Sequence, residues 1–400
     1  MSKSPPHQLP PVYVVSARRT PIGAYLGVFA DLAAPKLGAI AIKAALESGK
    51  VPVEAVSHVY FGNVLSAGIG QAPARQASLG AGIPNTVPCD TISKVCGSGL
   101  EAIILGVKSI ALGDADVVVA GGMESMSNAP YYLTKARAGY RMGNGTLVDG
   151  MIHDGLWDPY SNFHMGNAGE ICAKEYKFTR EAQDDFAKES FRRAVAAQKE
   201  SRFGDEIVGV PVPQRKGDPL VVIEDEGPKK GDPSKMAALK PAFDKAGTIT
   251  AANASSINDG AAAVILASEA AVKKHGLTPL ARIVGYGGAA QAPEWFTTAP
   301  VAAMKDASQR TGIALNDIDL FEINEAFAVV AMAAMKDLDL DHAKVNVHGG
   351  AIALGHPIGA SGARIFTTML HAMKQRNAKR GLSTLCIGGG EAVAVIAERA

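Results

Sequence analysis

Three stretches in the first third of the chain recur in the same order near its end, and this recurrence constrains the fold more than any other feature. Val56-x-x-Val59-Tyr-Phe-Gly-Asn63 resembles Ile318-x-Leu320-Phe-Glu-Ile-Asn324. Gly97-Ser98-Gly99 resembles Ala360-Ser361-Gly362, and Val119-Ala-Gly-Gly-Met-Glu124 resembles Ile387-Gly-Gly-Gly-Glu391. All three pairs lie about 260 to 270 residues apart. Similarity at one fixed offset marks a duplicated unit. Two similar halves are therefore expected to pack together, each turning glycine-rich bends and helix starts toward a shared cleft.

Periodicity says what each half is made of. Val12–Val15, His58–Val64, Val117–Ala120 ahead of Gly121-Gly122, and Gly260–Leu266 read as buried strands, while Ala33–Ser48 ahead of Gly49 and Gly97–Leu112 carry apolar residues at helical spacing. Short strands alternating with long helices predict an α/β fold with a sheet rich in parallel pairs. The segment from about Asn128 to Thr248 breaks the pattern: it is rich in proline, glycine and aspartate, with one charged-faced amphipathic helix near Arg180–Gln198. It reads as a large insertion. The expected units are 1–127 with about 249–275, the inserted 128–248, and 276–400.

Composition narrows the function. With 47% hydrophobic and only 6% aromatic residues, small aliphatic side chains carry the core. Forty basic against thirty-nine acidic residues give a net charge of +1 without a basic block, which excludes the footprint of a nucleic-acid or membrane-surface binder. Apolar runs such as Ala326–Met335 fall short of the roughly twenty residues a bilayer span needs, and the polar, proline-rich start Met1–Pro11 lacks the apolar core of a signal peptide. A cytoplasmic location is expected. Cysteines at 89, 96, 172 and 386 are too few and scattered for a disulfide framework or a zinc site, so reduced thiols are expected.

Thiols can be nucleophiles, and two of these occupy reactive addresses. Cys96 lies immediately ahead of the Gly97–Leu112 helix, where backbone N–H groups and the helix dipole favour thiolate; the alternative is a small side chain filling a tight turn. His356, in Gly355-His-Pro-Ile-Gly359, sits between glycine turns, as a general base or as a turn hydrogen-bonder. Cys386 ends an apolar strand ahead of Gly388–Gly390, and Asn324 ends another, as an active-site amide or a helix cap. The glycine tracts match neither the phosphate-binding loop nor the dinucleotide fingerprint.

Taken together, Cys96-Gly-Ser-Gly, Asn324-Glu-Ala-Phe-Ala, Gly355-His-Pro-Ile-Gly and Cys386-Ile-Gly-Gly-Gly resemble, in order, the catalytic motifs of the thiolases. The resemblance spans Ser16-Ala-Arg-Arg-Thr-Pro-Ile-Gly23 to Gly390. It is closest to the acetoacetyl-CoA thiolase (acetyl-CoA acetyltransferase) branch through Gln71-Ala-Pro-Ala-Arg-Gln76, Gly121-Gly-Met-Glu-Ser-Met-Ser127, His164-Met-Gly166 and Thr250-Ala-Ala-Asn-Ala-Ser255. It implies a thiolase fold, two duplicated α/β domains plus an inserted loop domain that binds CoA and makes oligomer contacts. It also implies a homotetramer and no cofactor beyond coenzyme A as substrate.

Carried onto this chain, the resemblance makes Cys96 the acylated nucleophile, His356 its base and Cys386 the thiol that moves the substrate α-proton. The Cys96 and Gly388 amides form one oxyanion hole, and His356 with a water held by Asn324 forms the other. Ser255, Lys230 and Lys235 match CoA-binding positions, and His164, Met165, Phe296 and Phe327 match residues around pantetheine and acyl group. Ser93 and Gly169 depart from the usual asparagine and alanine. Phe191 stands where potassium-stimulated members carry tyrosine; despite possible carbonyls at Ala251, Ala252, Ala254 and Ile352, no metal site is expected. The competing readings are a degradative 3-ketoacyl-CoA thiolase for longer chains and a non-catalytic acyl-CoA or lipid carrier. A two-histidine ketoacyl synthase fits less well, since Asn324 and Cys386 occupy the second and third places.

Overall fold

In the computed structural model, residues 9–400 are described; residues 1–8, the beginning of the expected 1–127 unit and most of the polar start, lie outside them. The strands that matter are β1 (Val12–Arg19), β2 (His58–Gly62), β3 (Cys89–Ile92), β4 (Val117–Ser125), β5 (Asn258–Ser268), β6 (Ala281–Ala290), β7 (Leu320–Ile323), β8 (Arg380–Ile387) and β9 (Glu391–Arg399). The helices are α1 (Ala34–Gly49), α2 (Pro73–Gly80), α3 (Ser98–Ala111), α4 (Met165–Tyr176), α5 (Arg180–Lys199), α6 (Ala299–Thr311), α7 (Ala328–Leu338) and α8 (Ile358–Gln375).

One ten-stranded sheet runs in the order β7-β8-β9-β6-β1-β5-β4-β2-β3, with the two-residue strand Gly23–Ala24 paired to β5. Apart from β3 at one edge, its two ends repeat the same strand order and directions, joined at β1 and β6. There Val12 pairs with Ile283, Tyr13 with Arg282 and Val14 with Ala281. Tyr13 thus meets the residue at its own place in the other copy, as a two-fold relation requires.

The expectation of a parallel-rich sheet is corrected. Only β7–β8, β2–β3 and β2–β4 are parallel; the remaining neighbours along the sheet are antiparallel. Equivalent edge strands meeting at a two-fold must run oppositely, and the tight turn between β8 and β9 returns the chain antiparallel at once. Alternation of strands and helices along the sequence does not register either constraint.

Period-two burial builds the layers. Val118 and Ala120 of β4 face a core shared with α3 and α8, whereas Val117, Val119 and Met123 face the layer of α1 and α2. In the other half, Leu385 and Val393 face α3 and α8, and Leu382 and Ile396 face the layer containing α6 and α7. The two central helices therefore lie inside, with strands on both sides. They cross at glycines: a Cβ on Gly99 would lie 2.8 Å from the Ala363 nitrogen, and one on Gly362 would lie 2.4 Å from that of Leu100. This crossing brings the N-termini of both helices to one place.

Between β4 and β5 the chain makes short hairpins, α4 and α5. Helix α5 starts at the Thr179 cap, close to the helix read from sequence, and buries Phe186, Ala187, Phe191 and Ala194 against the C-terminal half. Arg19, fully buried at the end of β1, ties this excursion down through Glu206 at 2.6 Å and Asp225 at 2.7 Å. A charge so placed is stable only because both partners reach it.

Candidate active site

The loop before α3 presents Cys96. Lys94 N–H donates to Ser98 Oγ at 2.8 Å, Ser98 Oγ donates to the Val95 carbonyl at 2.7 Å, and Gly97 N–H donates to the Lys94 carbonyl at 3.0 Å. This tight closure forces Val95 to φ 44°. A β-branched residue in the left-handed region is strained by about 1–3 kcal/mol, a cost found where geometry serves function. The backbone N–H groups of Gly388 and of Cys96 itself lie close enough to the Cys96 thiol to favour its ionised form.

The sequence expectation that this setting favours thiolate is corrected. The residue is only partly buried by surface, yet its thiol lies deep among protein atoms, and desolvation pushes it up to about 12 against the pull of the two N–H groups. The resting thiol is protonated and needs a base.

His356 stands two residues ahead of α8, as Cys96 stands two residues ahead of α3. Its N–H donates to Asn258 Oδ1 at 2.9 Å, and Asn258 Nδ2 donates to the Gly23 carbonyl at 2.9 Å, so the start of β5 sets its backbone. Ser361 Oγ donates to the Pro357 carbonyl at 2.9 Å and lies 2.6 Å from His356 Nδ1. Having spent its proton on that carbonyl, the hydroxyl can only accept from the ring, which places the proton on Nδ1 and leaves Nε2 as the basic nitrogen. Burial, reinforced by the Arg364 guanidinium, pushes the imidazole down to about 3, so it is neutral. Thiol and imidazole are thus both neutral at rest.

Cys386, fully buried at the end of β8, is raised by desolvation and then by the proximity of Cys96. Asn324, buried at the end of β7, places Nδ2 at 3.4 and 3.5 Å from the two ring nitrogens of His356, while its Oδ1 has no protein partner. After Cys386 the chain turns through Gly389 and Gly390 at φ 93° and 87°. This exposes the Gly388 amide, which only a residue without Cβ allows so simply.

An apolar cluster surrounds the Cys386 thiol. Met165, Phe296, Phe327, Ala326, Ala254 and Cys386 share one cluster, and the position of a Gly388 Cβ lies 3.3 Å from Met165 Sδ. Phe327 makes edge contacts with Phe296 at 6.3 Å and with Phe243 at 5.9 Å, and Phe243 stacks on His164 at 4.7 Å. His164 Nδ1 accepts from Gly166 N–H at 3.1 Å and caps α4, so this ring is partly structural. Ser255 Oγ donates to the Ala326 carbonyl at 2.9 Å, fastening the segment that carries Asn324 and Phe327.

Not every expected residue joins this group. Lys230 pairs with Glu226 at 3.0 Å and Lys235 with Asp232 at 3.0 Å, both exposed on the excursion. Lys230 ends a one-turn helix packed against Ala353, just before the His356 loop, whereas Lys235 is anchored through Met236 to the core of the C-terminal half.

Four contributors escaped sequence reading. Ser361 and Asn258 lie inside ordinary helix and strand patterns, and Phe243 is a lone aromatic in a polar stretch. Glu124 appears only as the end of a repeated motif. Its buried carboxylate accepts from Asn63 Nδ2 at 2.7 Å and from the N–H groups of Val64, Leu65 and Gly359 at 2.9 to 3.1 Å. It joins the N-terminal half to the start of α8. Burial pushes it up to about 7 against these donors.

Two thiols, a tautomer-fixed histidine and an amide meeting where two duplicated helices cross carry the comparisons with known proteins. Residues 12–270 match the family model described as the thiolase N-terminal domain, and residues 277–399 match the thiolase C-terminal domain. The chain belongs to the thiolase family. An acetyl-CoA acetyltransferase of Cupriavidus necator is 56% identical to this thiolase over 389 residues, 97% of the chain and 99% of the relative. Acetyl-CoA acetyltransferase 2 of Arabidopsis thaliana is 53% identical over 97% and 96%. Among solved structures, human mitochondrial 3-ketoacyl-CoA thiolase in complex with CoA superposes with a TM-score of 0.95 at 42% identity, covering 99% of the chain and 100% of that structure. An acetyl-CoA acetyltransferase of Bacillus anthracis gives 0.95 at 39%, covering 98% and 100%. As a thiolase, the protein is an acyltransferase.

Proposed function

We propose that this thiolase is an acetyl-CoA C-acetyltransferase, condensing two acetyl-CoA molecules reversibly to acetoacetyl-CoA and CoA. The observation that carries the reading is the Cys96 thiol placed by the Gly388 backbone N–H and near Cys386, which packs in an apolar cluster with Phe296 and Phe327. Relatives at 50–56% identity named acetyl-CoA acetyltransferase support the acetyl specificity.

His356 Nε2 takes the Cys96 proton as sulfur attacks the thioester carbonyl. The tetrahedral oxyanion lies on the Cys96 and Gly388 N–H groups, CoA leaves as its thiol with the Cys386 proton, and acetyl-Cys96 remains beside a Cys386 thiolate and a protonated His356. The Cys386 thiolate then removes an α-proton from the second acetyl-CoA. The enolate oxygen is held by His356 and by a water that donates to the free Asn324 Oδ1, and the carbanion attacks acetyl-Cys96, releasing the Cys96 thiolate, which regains its proton from His356. Thiolysis reverses these steps. A raised, desolvated Cys386 suits transfer of a proton from a weakly acidic carbon, because its conjugate thiolate is strongly basic.

CoA is the substrate, and no other cofactor enters these steps. Ser255, His164 and Met165 are assigned to the pantetheine and acyl group and Lys230 and Lys235 to the nucleotide end, with 128–248 as the loop domain between 1–127 plus about 249–275 and 276–400. A homotetramer is proposed on the exposed apolar side chains Tyr131, Leu133, Tyr140, Met142 and Leu147 of that segment, to be checked by sedimentation velocity. A cytoplasmic location is supported by a 50%-identical Gibberella zeae relative named cytosolic. No helix of the described residues is long and apolar enough to cross a membrane.

The test is CoA-dependent loss of the acetoacetyl-CoA enolate absorbance, repeated with six- and eight-carbon 3-ketoacyl-CoA. Preference for four carbons by more than about tenfold, equivalent to about 1.4 kcal/mol, is the expected result. A flat or rising profile moves the protein to the longer-chain 3-ketoacyl-CoA thiolases. No turnover with intact CoA binding makes it a carrier.

A further inference from the structure

The loop carrying Cys96 and the turn exposing Gly388 belong to opposite halves, and their relative position decides whether the thiol meets its amide. On its own side the loop is well fastened: Lys94 N–H and the Val95 carbonyl are tied to Ser98 of α3. Across the seam the ties are fewer. Val95 Cγ1 lies 3.5 Å from the position of a Gly388 Cβ, a van der Waals contact, and the Lys94 ammonium pairs with the Glu391 carboxylate.

This is the one ion pair between the two segments among the described residues, and it links places 297 positions apart. Its ends are well chosen. Lys94 is two residues before the nucleophile, and Glu391 is the first residue of β9, directly after Gly389 and Gly390. The Glu391 backbone is itself set by pairing with Ile387 on one side and Ala290 on the other. A carboxylate on rigid strand therefore holds the strained Val95 loop.

We propose that Lys94 and Glu391 are positioning residues that clamp the Cys96 loop to the Gly388 turn across the two halves, so aligning thiol and oxyanion hole. The inference rests on the roles proposed for Cys96 and Gly388. The pair is partly exposed, 30% and 41%, so it adds little to folding stability. Its effect is on alignment, where a shift of about 1 Å costs on the order of a hundredfold in rate.

The experiment uses the full chain with Lys94→Met, Glu391→Gln and the charge swap Lys94→Glu/Glu391→Lys in acetoacetyl-CoA thiolysis. Each single variant is expected to lose about five- to twentyfold in kcat with KM changed less than about twofold, the pattern of an interaction that matters in the transition state. The swap should recover most of the loss. Raising salt from about 0.05 to 1 M should lower kcat of the wild type but not of Lys94→Met, because the Debye length falls to about 3 Å. A swap no better than either single change, or unaltered kcat in both singles, overturns the clamp. A rise in KM alone makes Lys94 a CoA contact instead and also overturns it. An inactive wild type would refute the proposed function and not the clamp alone, and Glu391→Gln, nearly isosteric on the surface, keeps the test available if Lys94→Met folds poorly.

Discussion

In the N-terminal half the loop ahead of the central helix carries Cys96, and in the C-terminal half the loop ahead of its twin carries His356. The frameworks match, yet the same repeated motif is put to opposite uses after them. Gly121 and Gly122 lie inside β4, where a Cβ would meet the Ala262 carbonyl at 2.1 Å or the Gly359 carbonyl at 2.0 Å. They are there so that backbones can touch. Gly389 and Gly390 instead turn the chain at positive φ and free the amide of Gly388; Gly389 is open, while a Cβ on Gly390 would meet the Gln291 carbonyl at 2.3 Å. The carboxylates that end the two motifs diverge in the same way: Glu124 is buried under four donors, and Glu391 reaches the rim to meet Lys94.

The thiols give the sharpest contrast between the halves. Cys96→Ser should lose turnover by at least about three orders of magnitude, since a hydroxyl is a far poorer nucleophile, and should take up no acetyl group. Cys386→Ser should lose condensation to a similar extent but still acquire one acetyl on the Cys96 peptide from acetyl-CoA, seen by mass spectrometry. Wild-type α-proton exchange into deuterated water by Cys386→Ser would reverse the assignment of the base.

The paired serines come next. Ser361→Ala frees the His356 tautomer, so kcat should fall about ten- to a hundredfold with KM little altered, because the basic nitrogen is no longer selected. Ser98→Ala removes both Ser98 hydrogen bonds that close the Cys96 loop and should cost about 2 kcal/mol in denaturant unfolding, with a smaller loss of kcat than Ser361→Ala. Equal kinetic losses in the two variants would show that the hydroxyls do the same thing in both halves.

Phe327 belongs to the C-terminal half and has no aromatic twin in the pocket. Phe327→Ala should relax chain-length discrimination by about 1–3 kcal/mol, read as the ratio of kcat/KM for four- and six-carbon substrates. An unchanged ratio with lowered stability would make it a core residue only.

A different readout, stability against pH, concerns Glu124. Its carboxyl is held at about 7 against an ordinary 4.5, so between these values the folded state binds the extra proton. Stability therefore falls as pH rises from about 4.5 to about 7 and is level above. Glu124→Gln should remove that slope from Tm against pH while lowering Tm throughout, since its amide cannot accept from all four donors. A slope identical to the wild type would assign the titration to another group, such as Glu322, which burial raises to about 8.

Periodicity placed α1, α3 and α5 within a residue and the starts of β1 and β4, but ended both strands four to five residues early, taking Gly121-Gly122 for the end of β4; the repeated motifs pointed to two halves. Cys96 at a helix start was legible because capping position and helix spacing are local properties. So were Asn324 and Cys386, each closing an apolar run. The antiparallel seam, the neutral thiol and the aromatic chain from His164 through Phe243 to Phe296 were not. Strand direction depends on which edge meets which, and the Cys96 thiol is raised by desolvation summed over residues remote in the chain. The sequence by itself determined the elements, the duplication and the reactive residue types. Tertiary structure decided which nitrogen of His356 is basic, which amide faces Cys96 and which glycines pack, because each depends on contacts between segments some 100 to 300 residues apart or on a hydroxyl that must first spend its proton elsewhere.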